Sequence, residues 1–306
     1  MALLTLAESA KYYNNPLQRG IVETFVRSSG VLQYLPFMSI KGNAFKYNVE
    51  ETLPGVGFRS INEEYTPDIG VINPVVESLF IAGGEIKIDN ALIRQQGEGA
   101  DILAEQISMK TKALALAIED AFFHGDTTAD PEKFDGLEVR VTGDQLLKTG
   151  TTAGGAALTL AMLDELIDAC DLPPSVLFMN KTLRRKVNAL MRAAGQAAET
   201  VTGVFGQQIP AYAGVPIVVV GKNNTGAEIL GFTEADGQST PAAASCTSVY
   251  AVSFGGEGIT GLQSGPMDVD DQGRRSTFRH IVVDWDMGLK IAHPRAVARL
   301  KAIKNA

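Results

Sequence analysis

The sequence predicts an α+β protein: a long helix flanked by strand-forming segments, followed by a mixed helix-and-strand lobe. Three observations carry this prediction. Apolar residues recur at helical spacing from Glu98 to Phe123, with Leu103, Ile107, Leu114, Ile118 and Phe122 on one face and Ile102, Met109, Ala113 and Leu116 on a second. Apolar and polar residues alternate in Ala44–Glu50 and Glu85–Asp89, the period of a half-exposed strand. After residue 158 helical stripes and short apolar runs take turns, the pattern of a mixed lobe.

Taken in order, the first 40 residues read as two short helices on an arm. Thr5 and Glu8 have capping-box spacing, Asn15-Pro16 repeats the start signal, and Leu17, Ile21 and Phe25 form an apolar stripe. The stretch ends near Leu35-Pro36-Phe37 and has too few apolar groups for a core, so it must dock elsewhere. Residues 44–90 form an excursion with strand ends and a Gly- and Pro-punctuated middle, Leu53-Pro54-Gly55-Val56-Gly57-Phe58-Arg59 and Asn62 to Asp68. An excursion of roughly 45 residues without a core is unusual in a compact domain and suits partners outside the subunit. A simple surface hairpin is the alternative.

The long helix stops at His124-Gly125-Asp126, a C-terminal glycine signal, and its two apolar faces require cover on both sides. Leu137–Val141 alternates as a strand, and the Thr/Gly/Ala-rich stretch 149–157 is the best lobe boundary. Beyond it Leu163, Leu166, Ile167 and Cys170 share a helical stripe, Val176–Met179 is a buried strand, and Leu183, Val187, Leu190 and Met191 mark another helix. Ile217–Val220 reads as a buried strand, with further strands near 228–232, 248–254 and 258–263.

Composition excludes several functions. A net charge of −8 over 306 residues disfavours a nucleic-acid binder, which needs a basic surface, but suits the inner wall of a container for DNA. The two cysteines, Cys170 and Cys246, set no disulfide framework and read as buried, inert thiols. No apolar run approaches bilayer length, and the first residues lack the basic flank of a secretory signal.

Chemistry-bearing motifs are equally sparse. None of the three histidines, His124, His280 and His293, has a partner at metal-ligand spacing. Asp268, Asp270 and Asp271 form an incomplete calcium pattern and read as a solvated turn, while Asp284 and Asp286 share a strand face suited to a neighbour's arginines. Gly255-Gly256-Glu257-Gly258 does not open a helix, and Gly221-Lys222-Asn223 lacks the rest of a phosphate loop. Arg184-Arg185-Lys186 reads as a solvated helix face. No catalytic residue, cofactor site or metal site is expected.

The order of segments and several local motifs resemble the major capsid proteins of tailed phages that share the HK97 fold. The resemblance rests on Ile21-Val22-Glu23-Thr24-Phe25 with Leu35-Pro36-Phe37, on Tyr47-Asn48 with Leu53-Pro54-Gly55-Val56, and on the helix exit Glu119–Asp126 with Pro131 and Gly136-Leu137. It is completed by Trp285-Asp286-Met287-Gly288-Leu289 and His293-Pro294-Arg295; Gly125-Asp126-Thr127 departs from the usual second glycine. The resemblance implies an N-terminal arm (1–43), an E-loop (44–90), a peripheral P domain (91–150, spine helix 98–123), an inserted mixed α/β axial A domain (151–264) and a P-domain return (265–306). On that reading the P domain is discontinuous, Trp285 and Leu289 are core, and Asp268–Asp271 is a turn near a subunit contact.

The resemblance has further implications. The subunit would assemble with itself into hexamers and pentamers in the host cytoplasm. Together they would form an icosahedral virion shell around double-stranded DNA held without sequence-specific contacts. A portal, a separate scaffold or a decoration protein would be partners, and no membrane would be involved. Between Glu51 and Glu85 there is no Lys, so the covalent cross-link of some family members is not expected, and Lys87 at the loop base is expected to form a salt bridge. Arg59, Glu63, Glu64, Lys87, Asp89 and Arg94 are the expected polar subunit contacts. An encapsulin-like nanocompartment shell is the nearest alternative. An α/β enzyme is the rival from another class, opposed by the missing catalytic cluster.

Overall fold

Long-range pairing, rather than any single segment, organises the chain. The computed structural model describes residues 28–95, 102–150, 154–195, 199–203, 206–236 and 244–305; the two helices expected before residue 28 lie outside them. The elements run β1 (Phe37–Ser39), β2 (Ala44–Thr52), β3 (Val71–Ser78), β4 (Phe80–Asp89), α1 (Asn90–Gln95), α2 (Ile102–His124), α3 (Leu137–Arg140) and β5 (Leu146–Lys148). They continue as α4 (Leu160–Asp168), β6 (Val176–Met179), α5 (Lys181–Ala193), β7 (Glu199–Thr202), β8 (Gln208–Tyr212), β9 (Val215–Val219) and β10 (Glu234–Ala235). The last are β11 (Ala244–Val252), β12 (Ile259–Gln263), β13 (Asp268–Arg275), β14 (Phe278–Ile291) and β15 (Val297–Lys304).

Among the described residues these strands form three sheets. β14 is the axis of a five-stranded sheet: β4 and β13 pair along it near its start, β12 pairs with its second half, and β1 lies parallel to β12. A larger sheet has the order β5-β15-β11-β6-β9-β8-β7, with β10 also on β11. β2 and β3 pair only with each other.

The larger sheet is covered on both faces, which explains its unbroken apolar runs. Along β6, Val176 and Phe178 join the cluster that contains Phe122 and Phe123 of α2. Leu177 and Met179 join the cluster with Leu163 and Leu166 of α4 and Val187 of α5. Successive strand residues point to opposite faces, so one strand serves both cores. The first cluster also takes in Ile86, Ile281, Val283, Trp285 and Leu289, so α2 packs against the smaller sheet as well. Trp285 and Leu289 are core, as expected; the Trp285 ring lies 5.0 Å from Phe37, and its Nε1 donates to Gly265 O at 3.2 Å. Met109, placed by the sequence on a covered face of the helix, is exposed.

Three expectations need correction. Leu137–Val141 is not a strand but the short helix α3 with its cap: Leu137 and Val141 are buried and Val139 exposed, a spacing of four rather than two. Residues 228–232 form no strand. Ile229 and Leu230 are buried in a loop, and the Leu230 carbonyl accepts from Asn180 Nδ2 and Thr247 Oγ1 instead of joining a ladder. Asp268–Asp271 begins strand β13, paired residue by residue with Ile281–Asp284, and the turn falls at Ser276 (φ 56°) and Thr277. Of the last strands, β12 lies in the smaller sheet and β15 in the larger.

Candidate assembly surface

The β2–β3 ribbon carries residues 53–70 as a connection that buries almost nothing. Leu53, Val56, Phe58, Ile61, Tyr65 and Ile69 are all exposed, Val56 at 92% and Phe58 at 106%. So many large apolar side chains on one loop mark an interaction surface rather than a solvated tip. The loop is nonetheless shaped from within. Gly55 N donates to Asp68 Oδ2 at 2.6 Å, and Ser60 N donates to Glu63 Oε2 at 2.9 Å. Arg59 donates to Glu63 O at 3.0 Å while its guanidinium lies 5.2 Å from the centre of the Tyr65 ring.

The root of the ribbon is tied to the body by a buried polar group of residues. Arg140 makes a two-pronged pair with Glu77, at 2.6 and 2.7 Å, with both side chains largely buried. Tyr47 Oη lies 3.0 Å from Ile291 O and 3.3 Å from Glu77 Oε1; burial first, then the Glu77 charge, pushes its pKa up to about 12. Lys290 sits over both the Phe45 and Tyr47 rings.

The six expected contact residues fall into two groups. Arg59, Glu63 and Glu64 share the loop, and there Arg59 and Glu63 bond to loop backbone. Lys87, Asp89 and Arg94 sit on β4 and α1. Lys87 pairs with Glu85 at 2.9 Å, Asp89 accepts from Ala91 N at 2.8 Å and so starts α1, and Arg94 donates to Asn90 O. The salt bridge expected of Lys87 is present. Sequence reasoning missed Glu77 and Arg140, whose separation of 63 residues left no local signal.

It also missed a second cluster where the end of α2 meets the larger sheet. Arg299 donates to Glu138 Oε1 and Glu234 Oε2, both at 2.9 Å, and to Ser248 Oγ at 3.0 Å. His124 Nδ1 lies 2.7 Å from Glu138 Oε2 and its Nε2 lies 2.7 Å from Ile229 O. Both partners are acceptors, so both ring nitrogens donate and His124 is an imidazolium. The His124 hydrogen bond, followed by the Arg299 charge, holds Glu138 at about 2 against the cost of burial.

Burial disfavours the His124 charge, but the bonds to Glu138 and Ile229 outweigh it and raise the pKa above 6.5. The stabilisation is therefore complete below 6.5 and is lost as pH rises through the raised folded value. Melting temperatures taken across that window should fall with pH in the wild-type chain and fall less in His124→Gln. Equal slopes for the two proteins would contradict the assignment.

Among the described residues no group of three His, Cys, Asp or Glu side chains is placed to hold a metal ion, and no helix is long and apolar enough to cross a membrane. Cys170 and Cys246 are buried free thiols, and burial pushes Cys170 up to about 11. The body is thus two sheets packed about α2, with an apolar loop held out on a tied ribbon.

Residues 15–159 match the family model of major capsid protein GP7. The fold is similar to the SrpI encapsulin complex of Synechococcus elongatus, with TM-score 0.65, 17% identity, and 99% of this chain and 97% of that chain covered. It is similar to the capsid of the empty GTA particle, with TM-score 0.63, 16% identity and 90% of each chain covered. It is also similar to Mycobacterium phage Bobi, with TM-score 0.62, 13% identity and 91% of each chain covered. No curated protein matches the sequence. The chain has the HK97-type fold of capsid and encapsulin shell proteins.

Proposed function

We propose that the chain is the major capsid protein of a tailed phage, assembling into hexamers and pentamers that close an icosahedral shell around double-stranded DNA. The observation that carries this reading is the exposed yet internally shaped apolar loop 53–70, borne on a body with a shell-protein fold. Many modest contacts of this kind, repeated by symmetry, make a shell stable without any strong single interface. Glu64 and Arg94 meet charges of neighbouring copies, Arg59 and Glu63 shape the loop that does so, and Lys87 and Asp89 order the end of β4 and the start of α1. The acidic chain, at net charge −8, lines a wall to which packed DNA does not adhere. The subunit is structural and works in the virion; a portal and a separate scaffold or decoration protein are its partners.

A second reading is supported by the encapsulin likeness, which covers 99% of the chain: a nanocompartment shell around a protein cargo. Electron microscopy of the purified protein tests both readings. Closed shells or capsomers are expected, and a monodisperse monomer under all assembly conditions would overturn either one. Particles recovered from the native source should hold DNA and a portal; a single protein cargo instead would favour the nanocompartment.

A further inference from the structure

Among the described residues an unusual buried group is Glu119, on the covered face of α2 near its C-terminal end. It is 2% exposed, and among those residues its Oε1 has no hydrogen-bond partner. There its carboxyl is bonded by the Ser29 hydroxyl and the Gly30 amide, from the segment that leads into β1. The Ser29 oxygen itself accepts from Leu32 N at 3.3 Å, which leaves the hydroxyl proton for Glu119. Gly30 is wedged between the helix and the larger sheet: a Cβ there would stand 2.8 Å from Val218 Cγ1 and 3.7 Å from Glu119 Oε1. Glu119 also lines a cleft of about 370 Å³ with Gln33, Gln208, Pro210, Val219 and Arg184. Among the described residues Arg184 is the one other charged residue on that lining. The lining contributed by residues 28–33, β8 and β9 carries no titratable group.

A carboxyl in this position is tolerated neutral and penalised charged, since one oxygen is buried with neither donor nor solvent. We propose that Glu119 is a proton-operated latch: neutral, it lets residues 28–35 dock on α2 and the larger sheet, and ionised, it loosens them. The proposal concerns the single subunit and holds or fails independently of shell formation.

Burial, opposed by the Ser29 and Gly30 bonds, moves Glu119 from 4.5 to about 7. Between these values the docked segment retains a proton that the open state has released, so docking weakens as pH rises and is level on either side. The difference of about 2.5 pH units corresponds to a docking constant lowered on the order of 300-fold. Val31, Leu32 and Leu35 are fully buried and still hold the segment down, so the effect is local opening rather than release.

Amide hydrogen exchange at about pH 5 and about pH 8, corrected for intrinsic rates, tests this in the wild-type chain and in Glu119→Gln. Protection of the Leu32, Tyr34 and Leu35 amides should drop by about 70-fold in the wild type, the part of the full change that falls between these two pH values, and stay level in the variant. An equal drop in both proteins, or none in the wild type, overturns the latch. Infrared spectra of the wild-type chain with labelled glutamate provide a check that needs no variant. A protonated-carboxyl band should disappear as pH rises through about 7, and its absence at low-to-neutral pH would equally sink the proposal.

Discussion

Replacing Arg299 by Met should cost the subunit about 3 kcal/mol, the lower end of the penalty for removing one partner of a buried charge group. Arg299 is 6% exposed and holds apart two carboxylates, Glu138 and Glu234, each 2.9 Å from its Nη2. Methionine fills the volume but leaves Glu234, 10% exposed, without its cation. The lower end applies because the Glu138 side chain is 39% exposed and water partly compensates it. A second change, Glu234→Gln, should recover a good part of the loss by removing the stranded charge. Urea denaturation of the three variants measures both effects; a loss under about 1 kcal/mol for Arg299→Met would place this cluster among ordinary surface pairs.

Deleting Gly55–Asp68 should leave the fold intact and abolish closed particles. Thr52 and Val71 are register partners at the end of the β2–β3 ribbon, so the shortened chain closes through Leu53-Pro54-Ile69-Gly70, an ordinary hairpin length. The loop's large apolar residues are exposed, so their removal takes nothing from either core cluster. The melting temperature should therefore be preserved while electron microscopy shows no shells. Normal particles from the deletion would refute the role assigned to the loop, and an unfolded product would show that the loop serves the subunit itself.

Much of this architecture was legible because it is local. The α2 stripe, the alternation of β2 and β4 and the apolar runs of β6 and β9 each state their period within a few residues. What failed was decided at long range. Leu137–Val141 has a pattern that fits either period, and the helix formed because Leu137 and Val141 share one buried side while Glu138 and Arg140 reach His124 and Glu77. Asp268–Asp271 looked like a solvated turn, yet four partners on β14 draw it into a ladder. The loop was legible as an excursion without a core of its own from its length and punctuation. The residues that anchor it were not, since Tyr47, Glu77, Arg140 and Ile291 come from four distant parts of the chain. Arg299 did leave a trace: with Lys301 it is one of two cations in the otherwise apolar stretch Val297–Ile303, which implies a counter-charge nearby.

The position of β15 sets the order in which a newly made chain can finish. It lies between β5 and β11, and the Thr149 hydroxyl donates to Ala302 O across 153 residues of sequence. At roughly 5–20 residues per second, β5 waits on the order of 10–30 s on the ribosome for the strand that covers it. Late in that interval β11 also shows a bare edge, a template for the wrong partner when many copies are made together. Synthesis is thus a stage at which this protein is exposed to mispairing, and chaperone demand should peak before β15 emerges.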